Sequence, residues 1–213
     1  MIKAVLFDFD GTLADTLPYY IKAYHKALDT IGFHFSDEEV IKQCFGVKEY
    51  IICEKLGVPK KTEEFTRSYF DAVKTLLKNA LLFKDTIPTL IHLKEKGIKI
   101  AVITYAYRWY IDLMIAQFNL APFVDLSISA DEVLKPKPDP EAILKATTFF
   151  HIKPEETIMI GDSKSDILMG KTAGSKSILM HPNGYERYYD YSELKKSKPD
   201  FIVQNLHELI ALI

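Results

Sequence analysis

This 213-residue chain contains only two cysteines, three arginines and one tryptophan. Cys44 and Cys53 stand nine apart in helical-looking sequence and form no CxxC pair. They are too few for a disulfide framework and read as reduced core residues. With only Arg67, Arg108 and Arg187 among 27 basic residues, bidentate clamps on phosphate or carboxylate must be few. Neither sign of charge dominates, because 29 acidic residues bring the net charge to −2, so no global basic field attracts nucleic acid. No apolar run approaches the ~20 residues that span a bilayer. The N-terminal stretch Met1 to Asp8 meets an acid too early for a signal peptide, and a cytoplasmic protein without a membrane partner is expected. The six histidines form no HxH or HExxH pair, so zinc chemistry has no support. What remains is a composition able to bury a core, in a length between one and two domains of roughly 150 residues.

Short apolar runs recur at 2–7, 98–103, 157–160, 177–180 and 201–203, the first of them ending at an acid as a doubly buried parallel strand would. Helical stretches lie between them. One begins near Thr86 and stops at Gly97, and Asp139-Pro140 opens another over 141–150. This alternation predicts an α/β fold with a parallel, Rossmann-like sheet. Residues 15–79 break it, carrying only helical signals: an amphipathic stretch over 17–31, a capping box at Ser36-Asp37-Glu38-Glu39, and a helix over 61–78. They read as a helical domain inserted into a sheet domain made of 1–14 and 80–213.

The strand ends carry the chemistry. The first delivers Asp8-Phe9-Asp10-Gly11-Thr12, where both acids point beyond the carboxyl end of the sheet and Gly11 lets backbone N–H groups approach an anion. The second delivers Thr104, whose hydroxyl suits a phosphate oxygen. A proline-stiffened loop, Leu134-Lys135-Pro136-Lys137-Pro138-Asp139-Pro140, fixes the position of Lys135. The run 158–160 ends in Gly161-Asp162, with Asp166 one helical turn on. An EF-hand fails here, since no Gly stands five after Asp162 and no Glu eleven after it. Gly170-Lys171-Thr172 is no P-loop either, since Ser165 stands where its first glycine belongs.

In order and spacing, Asp8–Thr16, Thr104, Lys135 and Gly161-Asp162 with Asp166 resemble the four motifs of the haloacid dehalogenase superfamily, in the branch with a helical cap after the first motif. The resemblance covers nearly the whole chain. It implies that Asp8 is the nucleophile that becomes an aspartyl-phosphate, and that Asp10 is the acid/base. Mg²⁺ would be held by Asp8, Asp162 and the backbone carbonyl of Asp10. Lys135 and Thr104 would steady the phosphate, with Gly11 and Thr12 beside it, and Asp166 would orient a metal-bound water or the lysine. Because Asp10 is present, the implied activity is phosphatase action on a small phosphorylated metabolite, phosphoglycolate or a sugar phosphate. A phosphosugar mutase resembling β-phosphoglucomutase is the alternative, and a phospho-aspartate receiver or silent binding protein a third.

One departure stands out: the family's second motif usually has Asn after the Ser or Thr, and here Tyr105 follows. Tyr105 and Arg108 are therefore candidates to touch the non-phosphate end of the substrate, as are Tyr19 and Lys48 in the inserted domain. The run Tyr185-Glu186-Arg187-Tyr188-Tyr189-Asp190-Tyr191 is interrupted by acids and has one basic residue, so it reads as an edge loop or subunit contact rather than a base-stacking surface. The assembly reads as a monomer or a homodimer.

Overall fold

A computed structural model describes residues 1–213. The chain divides into two compact units, residues 1–14 with 82–213, and residues 15–81. None of its helices is long and apolar enough to cross a membrane.

The first unit is built on six parallel strands: β1 (Ala4–Phe7), β4 (Lys99–Ile103), β5 (Leu126–Ile128), β6 (Thr157–Gly161), β7 (Lys176–Met180) and β8 (Phe201–Val203). Their order across the sheet is β5-β4-β1-β6-β7-β8. Two further strands, β2 (Ala14–Asp15) and β3 (Leu81–Leu82), pair only with each other, where the chain leaves and re-enters the unit. From β1 the chain moves outward to β4 and β5, returns to the other side of β1 with β6, and continues to β7 and β8. The direction of winding thus reverses between β1 and β6, and in open parallel sheets the crevice beyond such a switch point is where ligands bind.

Parity explains why these runs are apolar throughout. Ala4 and Leu6 of β1, Ala101 and Ile103 of β4, and Met159 of β6 share one cluster with Ala142, Ile143 and Ala146 of α7 (Glu141–Phe150) and Met169 of α8 (Lys164–Ala173). The alternate residues Val5, Phe7, Ile100, Val102, Ile158 and Ile160 face the other way and are equally buried. A strand covered on both faces has no polar side to display. Helices α5 (Thr86–Glu95) and α6 (Arg108–Gln117) complete the layers. Strand β5 went unread in the sequence because it is only three residues at the sheet edge, two of them half-buried. The N-cap of α7 is Pro140 rather than Asp139, and Asp139 Oδ1 accepts from the N–H of Glu141 at 3.1 Å.

The second unit is helical: α1 (Leu17–Thr30), α2 (Asp37–Cys44), α3 (Glu49–Lys55) and α4 (Thr62–Leu76). Helices α1 and α4 pack through aromatic rings, with Tyr24 stacked on Tyr69 at 4.4 Å and Phe65 beside it. The capping box at Ser36 is formed, its hydroxyl accepting from Glu39 N–H while Glu39 Oε2 accepts from Ser36 N–H. Cys44 and Cys53 are buried and free, and burial pushes the Cys44 thiol up to about 12.

Candidate active site

Strands β1, β4 and β6 end level with one another, since Phe7 pairs with both Val102 and Ile160. The residues that follow them therefore converge. Asp8 is 8% exposed, and its Oδ1 accepts from the N–H of Phe9 at 2.7 Å. Asp162 follows β6 and is buried, while Asp166, on the first turn of α8, is completely so. Carboxylate oxygens of these three acids lie within 4.8 Å of one another.

One ammonium serves this cluster. Lys137 Nζ lies 2.8 Å from Asp8 Oδ1, 2.7 Å from Asp166 Oδ1 and 3.2 Å from the carbonyl of Ile103. Three donors thus meet three acceptors, which is the condition for keeping a lysine buried. The lysine beside Asp8 is therefore Lys137 and not the expected Lys135. Lys135 is exposed two residues earlier, its N–H bound to Glu141 Oε2 at 2.9 Å. Both lysines precede a proline, and positions two apart share a side of an extended chain. Only the path of the loop across the sheet distinguishes them.

Glycines permit the close approach. Gly11 has φ +76°, and a Cβ on it would come 2.0 Å from Asp162 Oδ2. A Cβ on Gly161 would come 2.2 Å from Asp166 Cγ. Neither position admits a side chain without moving an acid of the cluster. The turn after Asp8 is closed by Gly11 N–H on the Ala14 carbonyl and Leu13 N–H on that of Phe9, both at 2.9 Å. That turn presents Asp10, whose Oδ1 accepts from the Tyr110 hydroxyl at 2.5 Å. Tyr110 reaches it from the first turn of α6, its ring edge-on to Phe9.

Crowding of charge dominates the electrostatics. Burial, with repulsion from Asp166 and Asp10, raises the Asp8 carboxyl to about 7 despite the pull of Lys137. Burial and the charges of Asp8 and Asp166 push Asp162 well above the carboxylate range, against the opposing effects of Tyr189 and Lys137. Burial acts against the charge on Lys137, but Asp166 and Asp8 outweigh it and raise the ammonium. Three buried carboxylates against one ammonium leave negative charge uncompensated, and all the donors are oxygen. That donor set suits a hard divalent cation such as Mg²⁺. Asp166 has both oxygens occupied, Oδ1 by Lys137 and Oδ2 by the N–H and hydroxyl of Ser163 at 3.1 and 2.5 Å. A cation would fall to Asp8 and Asp162.

The remaining expected residues are placed as follows. Thr104 is buried at the end of β4, its N–H spent on the Ile128 carbonyl, while its hydroxyl accepts from Ala106 N–H at 3.0 Å and keeps its own proton to donate. Thr12 is fully buried, with a hydroxyl that has no partner. Tyr105 is half-buried after Thr104. Arg108 differs from expectation: its guanidinium bonds Asp112 at 3.0 Å, the hydroxyl and carbonyl of Ser127 at 2.9 and 2.8 Å, and Glu132. It ties α6 to β5 and the turn after it. In the helical unit, the Tyr19 hydroxyl donates to the Asn79 carbonyl at 2.7 Å, and Lys48 stands at the N-terminus of α3.

The sequence reading missed Tyr110 and Tyr189. Tyr110 stands two residues after Arg108, on the first turn of α6. Tyr189 belongs to the run read as an edge loop or subunit contact, yet its hydroxyl donates to Asp162 Oδ2 at 2.8 Å. No local signal marks either one, because both reach the site from elements distant in sequence.

An acid cluster with one buried lysine, beyond the switch point of a parallel sheet, offers the all-oxygen donor set that suits a hard cation. Residues 5–180 match the haloacid dehalogenase-like hydrolase family, and the chain belongs to it. A candidate pyrophosphatase named PpaX from Caldanaerobacter subterraneus subsp. tengcongensis is 31% identical, the alignment covering 100% of this chain and 94% of that protein. A crystal structure described as a predicted phosphoglycolate phosphatase from Haemophilus somnus superposes with a TM-score of 0.86 at 21% identity, covering 99% of this chain and 97% of that one. One described as a β-phosphoglucomutase candidate from Thermotoga maritima gives 0.79 at 25% identity, covering 99% and 98%.

Proposed function

We propose that the chain is a Mg²⁺-dependent phosphatase that hydrolyses a small phosphorylated metabolite through an aspartyl-phosphate on Asp8. The observation that carries this reading is the pair of acids at the end of β1 in two different settings. Asp8 is fixed by Phe9 N–H and Lys137, and Asp10 stands two residues on, bonded to Tyr110. A carboxylate of Asp8 attacks phosphorus as the bond to the leaving oxygen breaks, and Asp10 supplies the proton that oxygen takes. Asp10 then removes a proton from a water that attacks the same phosphorus. The bond to Asp8 breaks, and inorganic phosphate departs. Lys137 sets its charge beside Asp8, Thr104 has a proton to give a phosphate oxygen, and Asp166 holds Lys137 in place. Asp8, Asp162 and the Asp10 carbonyl would hold the cation, whose charge would offset the repulsion between carboxylate and phosphate.

Phosphoglycolate and sugar phosphates are the expected substrates, and the name of the PpaX relative adds inorganic pyrophosphate to those worth testing. Purified protein is assayed for phosphate release from such a panel with Mg²⁺ and with chelator. Release that needs Mg²⁺ and is lost in Asp8→Asn is expected. Activity that persists in Asp8→Asn removes Asp8 as the nucleophile. A sugar phosphate isomerised without release of phosphate replaces the phosphatase by the mutase.

A further inference from the structure

The aromatic run after β7 has no part in the chemistry above, yet one of its tyrosines touches the acid cluster. Tyr185, Tyr188 and Tyr191 are buried, with Tyr185 and Tyr188 edge to face at 5.0 Å, and they brace the segment. Tyr189 stands among them, and its hydroxyl donates to Asp162 Oδ2 at 2.8 Å. Gly11 also crowds that oxygen, since a Cβ there would come within 2.0 Å of it.

We propose that Tyr189 is a positioning residue that fixes the Asp162 carboxylate for the cation. This rests on the cation reading above. The terminal torsion of an aspartate is broad and roughly two-fold, so an unrestrained carboxylate must be ordered when a metal binds. Tyr189 and Gly11 together pin Oδ2 and leave Oδ1 as the oxygen to be offered. The donor is also neutral. Lys137 compensates the charge of Asp166, whereas a phenol bonds Asp162 without cancelling the negative charge that a cation needs. Hydrogen-bonding partners of metal ligands commonly govern affinity by about 10–100-fold.

The test is calorimetric titration of Mn²⁺ and Mg²⁺ into metal-stripped protein, compared for wild type, Tyr189→Phe and Tyr191→Phe. Tyr191 is the control because its buried hydroxyl has no partner. Loss of about tenfold in affinity is expected for Tyr189→Phe and none for Tyr191→Phe. The Mg²⁺ concentration for half-maximal activity should rise in parallel, with kcat at saturating Mg²⁺ nearly unchanged. A purely structural tyrosine would lower Tm and leave the affinity of the folded protein alone. Equal affinity in wild type and Tyr189→Phe overturns the role of Tyr189 while leaving the cation site standing. No binding by folded wild type removes the site and the role together. If the phenylalanine variant does not fold, Tyr189→Met makes the same deletion on a flexible side chain.

Discussion

Replacing Lys137 by methionine keeps a long apolar stem in a site where the side chain is 3% exposed, and removes only the charge and its three hydrogen bonds. Asp8 and Asp166 then lose the ammonium at 2.8 and 2.7 Å, and the Ile103 carbonyl loses its donor at 3.2 Å. Breaking a buried ion pair from one side costs about 3–5 kcal/mol, because the partner charge stays behind. The carboxylates escape part of that cost by taking up protons, so the loss is full at pH 8 and smaller at pH 5. In a chain of this length that corresponds to a drop in Tm of about 10 °C in chelator at pH 8. Loss of fixed positive charge at a reacting phosphate lowers kcat by about 10²–10³-fold. Lys135→Met is the matched control, since the exposed side chain goes and the backbone bond to Glu141 stays. Thermal melts at pH 5 and 8 and phosphate release at saturating Mg²⁺ check both variants. If Lys137→Met keeps its Tm and turnover, or if Lys135→Met loses them, the assignment of the buried lysine is wrong.

Two further outcomes follow from the same geometry. Asp8, raised from 3.8 to about 7, and Asp162, raised in the same direction, bind more protons in the folded than in the unfolded chain across the interval above pH 4. The Asp8 contribution to the stability of the metal-free protein therefore falls as pH rises from about 4 to 7, by at most about 1.4 kcal/mol per pH unit, and levels off above, with Asp162 acting in the same direction. A cation between these acids reverses the effect, so the Tm gain on adding Mg²⁺ should grow from pH 5 to 7, and a gain independent of pH counts against the site. Arg108→Ala removes a tie between α6 and β5, and is expected to lower Tm by several degrees with kcat/KM unchanged. A selective rise in KM for the preferred substrate would restore Arg108 to the substrate.

Much of the site was legible because parallel strands have a local signature. A short apolar run that stops at an acid places that acid at the carboxyl end of the sheet, so Asp8 and Asp162 were visible from their neighbours, whereas Asp10 drew its meaning from the longer motif that follows Asp8. Gly11 and Gly161 were visible for a related reason, though what they accommodate, the side chains of Asp162 and Asp166, was not. The capping box at Ser36 was equally plain, since its donors and acceptors lie within four residues.

Sequence alone thus determined the class of the fold, the strand ends that carry acids and the helical insertion. Each of these depends on periodicity or on contacts a few residues long. Tertiary structure decided which of two proline-flanked lysines enters the cluster, because Lys135 and Lys137 differ only in how far along the loop they stand when it crosses the sheet. It also brought Tyr110 to Asp10 and Tyr189 to Asp162 across 100 and 27 residues, and spent Arg108 on its neighbours. Hydrogen bonds between distant elements have no period for a sequence to display.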